Sequence, residues 1–320
     1  MRLLRGYAAF VCLGGAVLLP CPAFAAEDDV PTLQRRAQSE NAIERRRAAR
    51  KLLAMGNRAG EAMLKLAQSD DMVIRRAALR RIHDVKGEGA LPVLKAALSD
   101  PSPLVRVVAV EELVAMRPRT DEVTQSLMAA TRDEDTAVRK MAADAFWTFR
   151  RNVVPLRKRL GWDHAIEVVA SLPLAETGWV FRPDPSRYGH VRNWFVPDLD
   201  ESDWFGIKTG VFWHDALPEK VGRFMGIGWY RTTVTFPQKP EGTINQVVLR
   251  FEAVDESTWL WINGEYAGVH DIGPAGWRTP FDLDITPFVK WGQPNHLAVR
   301  VLNTAGAGGI YKPVEFQVLR

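Results

Sequence analysis

Seven residues in the second half of the chain have side chains suited to one kind of chemistry. Trp229, Trp259, Trp277 and Tyr311 offer flat aromatic faces that can lie against the C–H side of a pyranose, while Asp255, Glu256 and Asn303 offer planar polar groups for its hydroxyls. Each also has a structural use. A tryptophan on a strand commonly serves the core, which applies to Trp229 and to Trp261, set between Leu260 and Ile262. Asp255 and Glu256 begin a bend, where carboxylates cap local turns, and Asn303 adjoins the glycine-rich run from Thr304 to Gly309. Trp277, between Gly276 and Arg278 in a Gly-Pro loop, is expected to face solvent.

Other chemistries have less to work with. Glu252, Asp255 and Glu256 cluster in sequence, but glycoside cleavage needs two carboxyl groups roughly 5 to 10 Å apart across the scissile bond. No such pair is expected, and no catalytic residue is assigned. His83 stands alone, and His164, His190, His214, His270 and His296 show no metal-ligand spacing, so neither a transition-metal site nor a cofactor is expected.

The surrounding sequence divides the chain in two. At 320 residues there is room for about two domains, and ten of the eleven tryptophans lie beyond Arg151. Before both comes a segment with Arg2 and Arg5, the apolar stretch Ala8 to Leu19, and the small-residue site Ala23-Phe24-Ala25. That pattern predicts a secretory signal peptide over 1–25, too short in its apolar run to span a bilayer. The mature protein is then periplasmic or extracellular, without a membrane span. Cys12 and Cys21 both fall in the signal, leaving no thiol or disulfide, and Pro20 is unsuited to the position before an acylated cysteine. Without the signal the chain has 40 basic and 38 acidic residues, a net of +2. That balance gives nucleic acid little to bind.

From Glu40 to Phe149 a pattern recurs four times. Arg45, Arg75, Arg106 and Arg139 are each followed three residues later by Ala48, Ala78, Ala109 or Ala142, and four further on by Leu52, Ile82, Leu113 or Phe146. These offsets share a helix face. Ser69-Asp70-Asp71, Ser99-Asp100-Pro101 and Asp133-Glu134-Asp135 precede the helices and supply N-terminal caps. The recurring arginines predict a ladder of Arg–Asp contacts between neighbouring units. The segment resembles HEAT repeats, most clearly from Ser99 to Ala109. The first copy departs, with Glu44 at an apolar position, as suits an end cap. The resemblance implies an α-solenoid over 26–151 that docks another protein. Residues 152–175 are expected to form a helical linker or cap, with Asp163 as N-cap of a helix carrying Ile166, Val168 and Val169. Phe146, Trp147 and Phe149 should pack on this bridge or on the second domain.

Beyond it, short runs alternate with period two: Val247, Leu249 and Phe251; Leu260 and Ile262; Leu297, Val299 and Val301. Asn263-Gly264 is a strong hairpin signal, since both residues tolerate the positive φ of a type I′ turn. The fold class is therefore multidomain α + β, an α-solenoid of HEAT-like helical repeats followed by an all-β jelly-roll sandwich over 176–320. Gly226 to Arg231, Leu249 to Glu256, Leu260 to Gly264, Phe281 to Thr286, Asn295 to Asn303 and Gly308 to Val314 resemble the sugar-binding domain of glycoside hydrolase family 2. Phe181 to Pro185, Trp194, Asp203-Trp204 and Trp213 fit its leading part.

In that family the module is galactose-binding-like in fold and precedes an immunoglobulin-like domain and a catalytic barrel, which the chain, ending at Arg320, is not expected to contain. A structural calcium held by loop carbonyls is compatible with such folds. The expectation is thus an exported, non-catalytic carbohydrate-binding protein with a protein-docking helical domain. An accessory subunit of a separately encoded family 2 glycoside hydrolase and a purely structural scaffold are the alternatives.

Overall fold

The computed structural model describes residues 29–84, 89–150, 155–161 and 165–320. The expected signal at 1–25, with both cysteines, lies outside the described residues, as do Asp163 and His164. The chain divides into two compact units, one up to Lys86 and one from Gly87. The division falls inside the repeat series.

The first unit holds helices α1 (Val30–Arg36), α2 (Ala42–Ala54), α3 (Gly60–Leu66) and α4 (Met72–Leu79). Asp29, Asn41 and Asp71 cap α1, α2 and α4 by accepting free N–H groups of the first turn. Ala48, Leu52, Ala78 and Ile82 are buried, as their spacing requires. Arg45 donates to the carbonyls of Ser39 and Glu40 in the loop before its own helix, and to Asp71 in the next repeat at 3.1 Å. Arg75 makes the same loop contacts with Ser69 and Asp70. The bonds from Arg46 and Arg45 hold the Asp71 carboxyl below the usual carboxylate range. Glu44 is exposed where the next copy buries Ile74, as an end cap requires.

The second unit begins with α5 (Ala90–Ala97), α6 (Pro103–Ala115), α7 (Asp121–Ala130) and α8 (Thr136–Asp144). Arg106 repeats the Arg–Asp contact, bonding Asp133 twice at 2.9 Å and the Asp100 carbonyl at 2.8 Å. Asp135 caps α8.

The strands are β1 (Val168–Pro173), β2 (Trp179–Asp184), β3 (Phe205–Ile207), β4 (Gly226–Thr235), β5 (Gln246–Phe251), β6 (Ser257–Ile262), β7 (Glu265–His270), β8 (Phe281–Asp284), β9 (Pro294–Asn303) and β10 (Val314–Leu319). They form two antiparallel sheets, ordered β1-β10-β5-β8 and β3-β2-β4-β9-β6-β7. Between the sheets lies a core that includes Phe181, Tyr230, Leu249, Phe251, Leu260, Ile262, Val299, Val301 and Phe316. All three alternating runs read from the sequence point into it. Asn263 and Gly264, at φ of +54° and +87°, turn β6 into β7.

The linker is a correction. Residues 168–173, expected as helix, form edge strand β1, paired with β10 through Ala170 and Val318, and the described helical structure in the bridge is a 3-10 turn at Leu156–Lys158. Val168 and Val169 are β-branched, and the open edge of β10 offers pairing that local helix periodicity cannot match. No helix among the described residues is long and apolar enough to cross a membrane.

Candidate functional site

The seven candidates separate into two places on the β domain. Strand alternation turns Tyr230 into the core and Trp229 to the outer face of the six-stranded sheet. There Trp229, Arg300 and Trp259 stand in register across β4, β9 and β6. This face is covered by the residues that follow α8. Trp147 packs edge-on against Trp259 and Trp261, with ring centroids 5.9 and 6.3 Å apart, and Phe149 packs on Trp261, Phe195 and Tyr266. The Arg300 guanidinium sits 4.3 Å from the Trp259 ring centre and 4.6 Å from that of Trp147. Burial pushes its pKa down to about 10. Trp229 is fully buried, its indole N–H donated to Asp184. Trp229 and Trp259 thus leave the candidate site: Trp229 is buried against Trp194 and the Gly189 backbone, and Trp147 and Arg300 lie against Trp259.

The covering is bonded as well as packed. Asp184 is buried at the end of β2 and accepts the N–H groups of Tyr188 and Gly189 besides that of Trp229. Loss of water raises its pKa. The loop it shapes meets α8. His190 Nε2 donates to the Ala143 carbonyl at 2.8 Å, and Arg139 Nε donates to Ser186 at 2.8 Å. In the preceding copy Arg106 Nε gives the corresponding bond to Asp133, so the β domain supplies to α8 the partner that a further repeat would have supplied.

The remaining candidates meet at one end of the sandwich. Asp255 is tied by its backbone to Gly309, both N–H to carbonyl bonds measuring 3.1 Å. The Glu256 carboxylate accepts the Thr304 N–H at 3.1 Å and its hydroxyl at 2.8 Å. Tyr311 stacks on Phe212, centroids 4.4 Å apart, and donates its hydroxyl to the Trp277 carbonyl. Trp277 is 44% exposed. It rides on the 3-10 turn Ala275–Arg278, which sits close because Gly276 has no side chain: a Cβ there would lie 2.6 Å from the Glu256 carbonyl oxygen. Burial, with the Glu256 charge adding to it, pushes the Asp255 pKa up to about 6. Tyr311 is raised by burial and by the charge of Asp255. Asn303 is a further correction. It is fully buried and spends its amide on the Gly306 carbonyl and the Ala305 N–H, so it shapes the loop and does not face a ligand.

What remains is an exposed indole, a phenol on a stacked aromatic pair, and a carboxyl able to accept or donate hydrogen bonds near pH 6. Residues 176–313 match the family model for glycosyl hydrolases family 2, sugar binding domain. Residues 30–113 match that for HEAT repeats. Curated relatives of the β domain include beta-galactosidase BoGH2A of Bacteroides ovatus, 40% identical over 78 residues, which are 24% of this chain and 8% of that protein. A beta-galactosidase of Thermoanaerobacter pseudethanolicus is 32% identical over 128 residues, 38% of this chain and 16% of its own. The chain thus spans less than a fifth of the length of either relative. Among solved structures, a Lactobacillus rhamnosus beta-glucuronidase aligns at 19% identity and a TM-score of 0.41, over 48% of this chain and 29% of that one.

Within the matched segment, sequence reasoning missed Phe212 and His214, which continue the stack from Tyr311 with centroids 5.7 Å apart. Trp213 between them is buried in the core, so alternation around a core tryptophan was the available signal. It also missed Asp184 and Arg300, whose partners Trp229 and Trp147 lie far away in sequence. Glu252, weighed as a carboxyl, is drawn to Arg250 at 2.8 Å.

Proposed function

We propose that the protein is an exported carbohydrate-binding protein that does not itself cleave its ligand, and that its helical repeats dock a protein partner. The reading rests on one observation: at one end of a domain that matches a sugar-binding family the exposed Trp277 and the half-buried Tyr311 lie together, with the buried Asp255 and Glu256 beside them. Trp277 supplies the flat apolar face, and Asp255 and the Tyr311 ring edge supply hydroxyl and stacking contacts. Against cleavage by this segment, Asp255 and Glu256 are successive residues and Glu256 is engaged by Thr304, whereas hydrolysis uses two carboxyls opposed across the bond. Export is supported by the signal-like pattern of 1–25.

Affinity gel electrophoresis of the full chain through a panel of plant, algal and bacterial polysaccharides tests the proposal. Retention on at least one, weakened by Trp277→Ala, is expected. Unretarded migration on all of them by correctly folded protein would refute it.

A second reading is favoured by the relatives, which are beta-galactosidases and beta-glucuronidases. The same end of the domain would then border the active site of a separately encoded glycosidase, with Asp255 touching the sugar held there. Stimulation of such an enzyme by this chain, lost on Asp255→Ala, supports that reading over the first.

A further inference from the structure

The described residues of the first unit carry the positive charge of the whole protein. Residues 29–84 contain thirteen arginines and lysines against seven acids, a net of +6, while the full chain stands at +4. The excess is concentrated on α2. One face of that helix is buried through Ala48, Ala49, Leu52 and Leu53. On its solvent side Ile43, Arg47, Arg50, Lys51 and Ala54 fall at helical spacings and line an open depression of about 470 Å³.

Neighbouring arginines have structural work, since Arg45 and Arg46 both bond Asp71. Arg47 and Arg50 do not: among the described residues no ion pair engages either one. Ile43 is 81% exposed at the N-terminal end of the same strip. A solvated end face would need charge there, but it would not need an isoleucine.

We infer that this face of α2 docks an acidic segment of a partner polypeptide, its carboxylates on Arg47 and Arg50 and an aliphatic side chain on Ile43. The inference deepens the protein-docking half of the proposed function. Charge complementarity selects an anionic occupant, and the aliphatic floor selects polypeptide. An acidic polysaccharide would find no aromatic face among these five residues. A single isoleucine is too small an apolar surface to hold a helix in a membrane interface. A second copy of the chain would bring the same positive helix face against this one.

Fluorescence anisotropy of the full chain with a labelled twelve-residue peptide of aspartate and glutamate around two leucines provides the test. Saturable binding is expected, weakening at least tenfold in Arg47→Glu/Arg50→Glu and about fivefold in Ile43→Ser, with circular dichroism unchanged because all three side chains are exposed. The inference is overturned by no saturable binding, by equal binding of Ile43→Ser, or by displacement of the peptide by a heparin oligosaccharide at equal affinity. Binding to anionic vesicles in place of the peptide also overturns it. Polysaccharide retention of the same variants should stay at the wild-type level. Loss of retention in the wild type would therefore defeat the carbohydrate reading while leaving the peptide result to stand or fall alone.

Discussion

The outer face of the six-stranded sheet and the loop end of the sandwich are both rich in aromatic rings, and they differ in what lies over them. On the sheet face Trp147 and Phe149 close over Trp259 and Trp261, and Arg300 is held between two indoles. At the loop end Trp277 stays 44% exposed, and beside it the buried Asp255 has no side-chain hydrogen-bond partner among the described residues. The same residue type therefore serves a domain joint in one place and an open surface in the other. Aromatic composition alone does not reveal a binding site; the covering segment decides.

The largest effect should come from removing the cover. Trp147→Ala takes a half-buried indole from its contacts with Arg300, Trp259 and Trp261 and should cost about 2–3 kcal/mol in urea unfolding, with added exposure of tryptophan to quenchers. A cost under about 1 kcal/mol would mean that the joint is loose.

Acid should weaken the same joint. Burial pushes the His190 pKa down to about 4, with the Arg300 charge acting in the same direction. The unfolded chain, with an ordinary histidine near 6.5, takes up the proton first, so this stability is present above about 6.5 and is lost as the pH falls toward about 4. The loss should be on the order of 2 kcal/mol, measured as urea midpoints between pH 7 and 4.5. His270, also held at about 4 by burial, adds to the loss in the same window and Asp255, raised to about 6, opposes it, so the His190 share is read as the difference in slope between the native chain and His190→Asn.

At the open end the expected pattern reverses. Trp277→Ala should leave stability within about 0.5 kcal/mol and weaken carbohydrate binding by about 2 kcal/mol, roughly thirtyfold in Kd by titration calorimetry. The smallest effect is that of Asp255→Asn. A carboxyl raised to about 6 favours the folded state below the unfolded value near 3.8 and loses that advantage as pH rises through 6. The asparagine variant should therefore gain about 1 kcal/mol at pH 8 relative to the native chain, with no gain at pH 4. Equal denaturant midpoints at both pH values would remove Asp255 from the account.

Much of the architecture is legible in the sequence because it is written in local spacing. The Arg-to-Ala offsets place Ala48, Ala78, Ala109 and Ala142 in helix contacts, and the Asn263-Gly264 pair sets a hairpin. Strand parity even tells which tryptophans share a face. It does not tell whether that face is covered, because Trp147 lies more than eighty residues from Trp229 in the chain. The edge strand β1 is obscure for the same reason: its helix-like spacing yields to pairing with β10, at the far end of the sequence. Asn303 misleads in another way. Its position beside a glycine loop is right, but its amide is consumed in holding that loop.

Hydroxyl-radical footprinting of the full chain, with and without its retained polysaccharide, separates an open sugar site at the loop end from one on the sheet face. Protection confined to Trp277 and Tyr311, with Trp147, Trp229 and Trp259 unchanged, is the predicted result. Protection of Trp147 and Trp259 with none at Trp277 or Tyr311 would contradict it, because the sugar would then be bound on the face assigned to the joint.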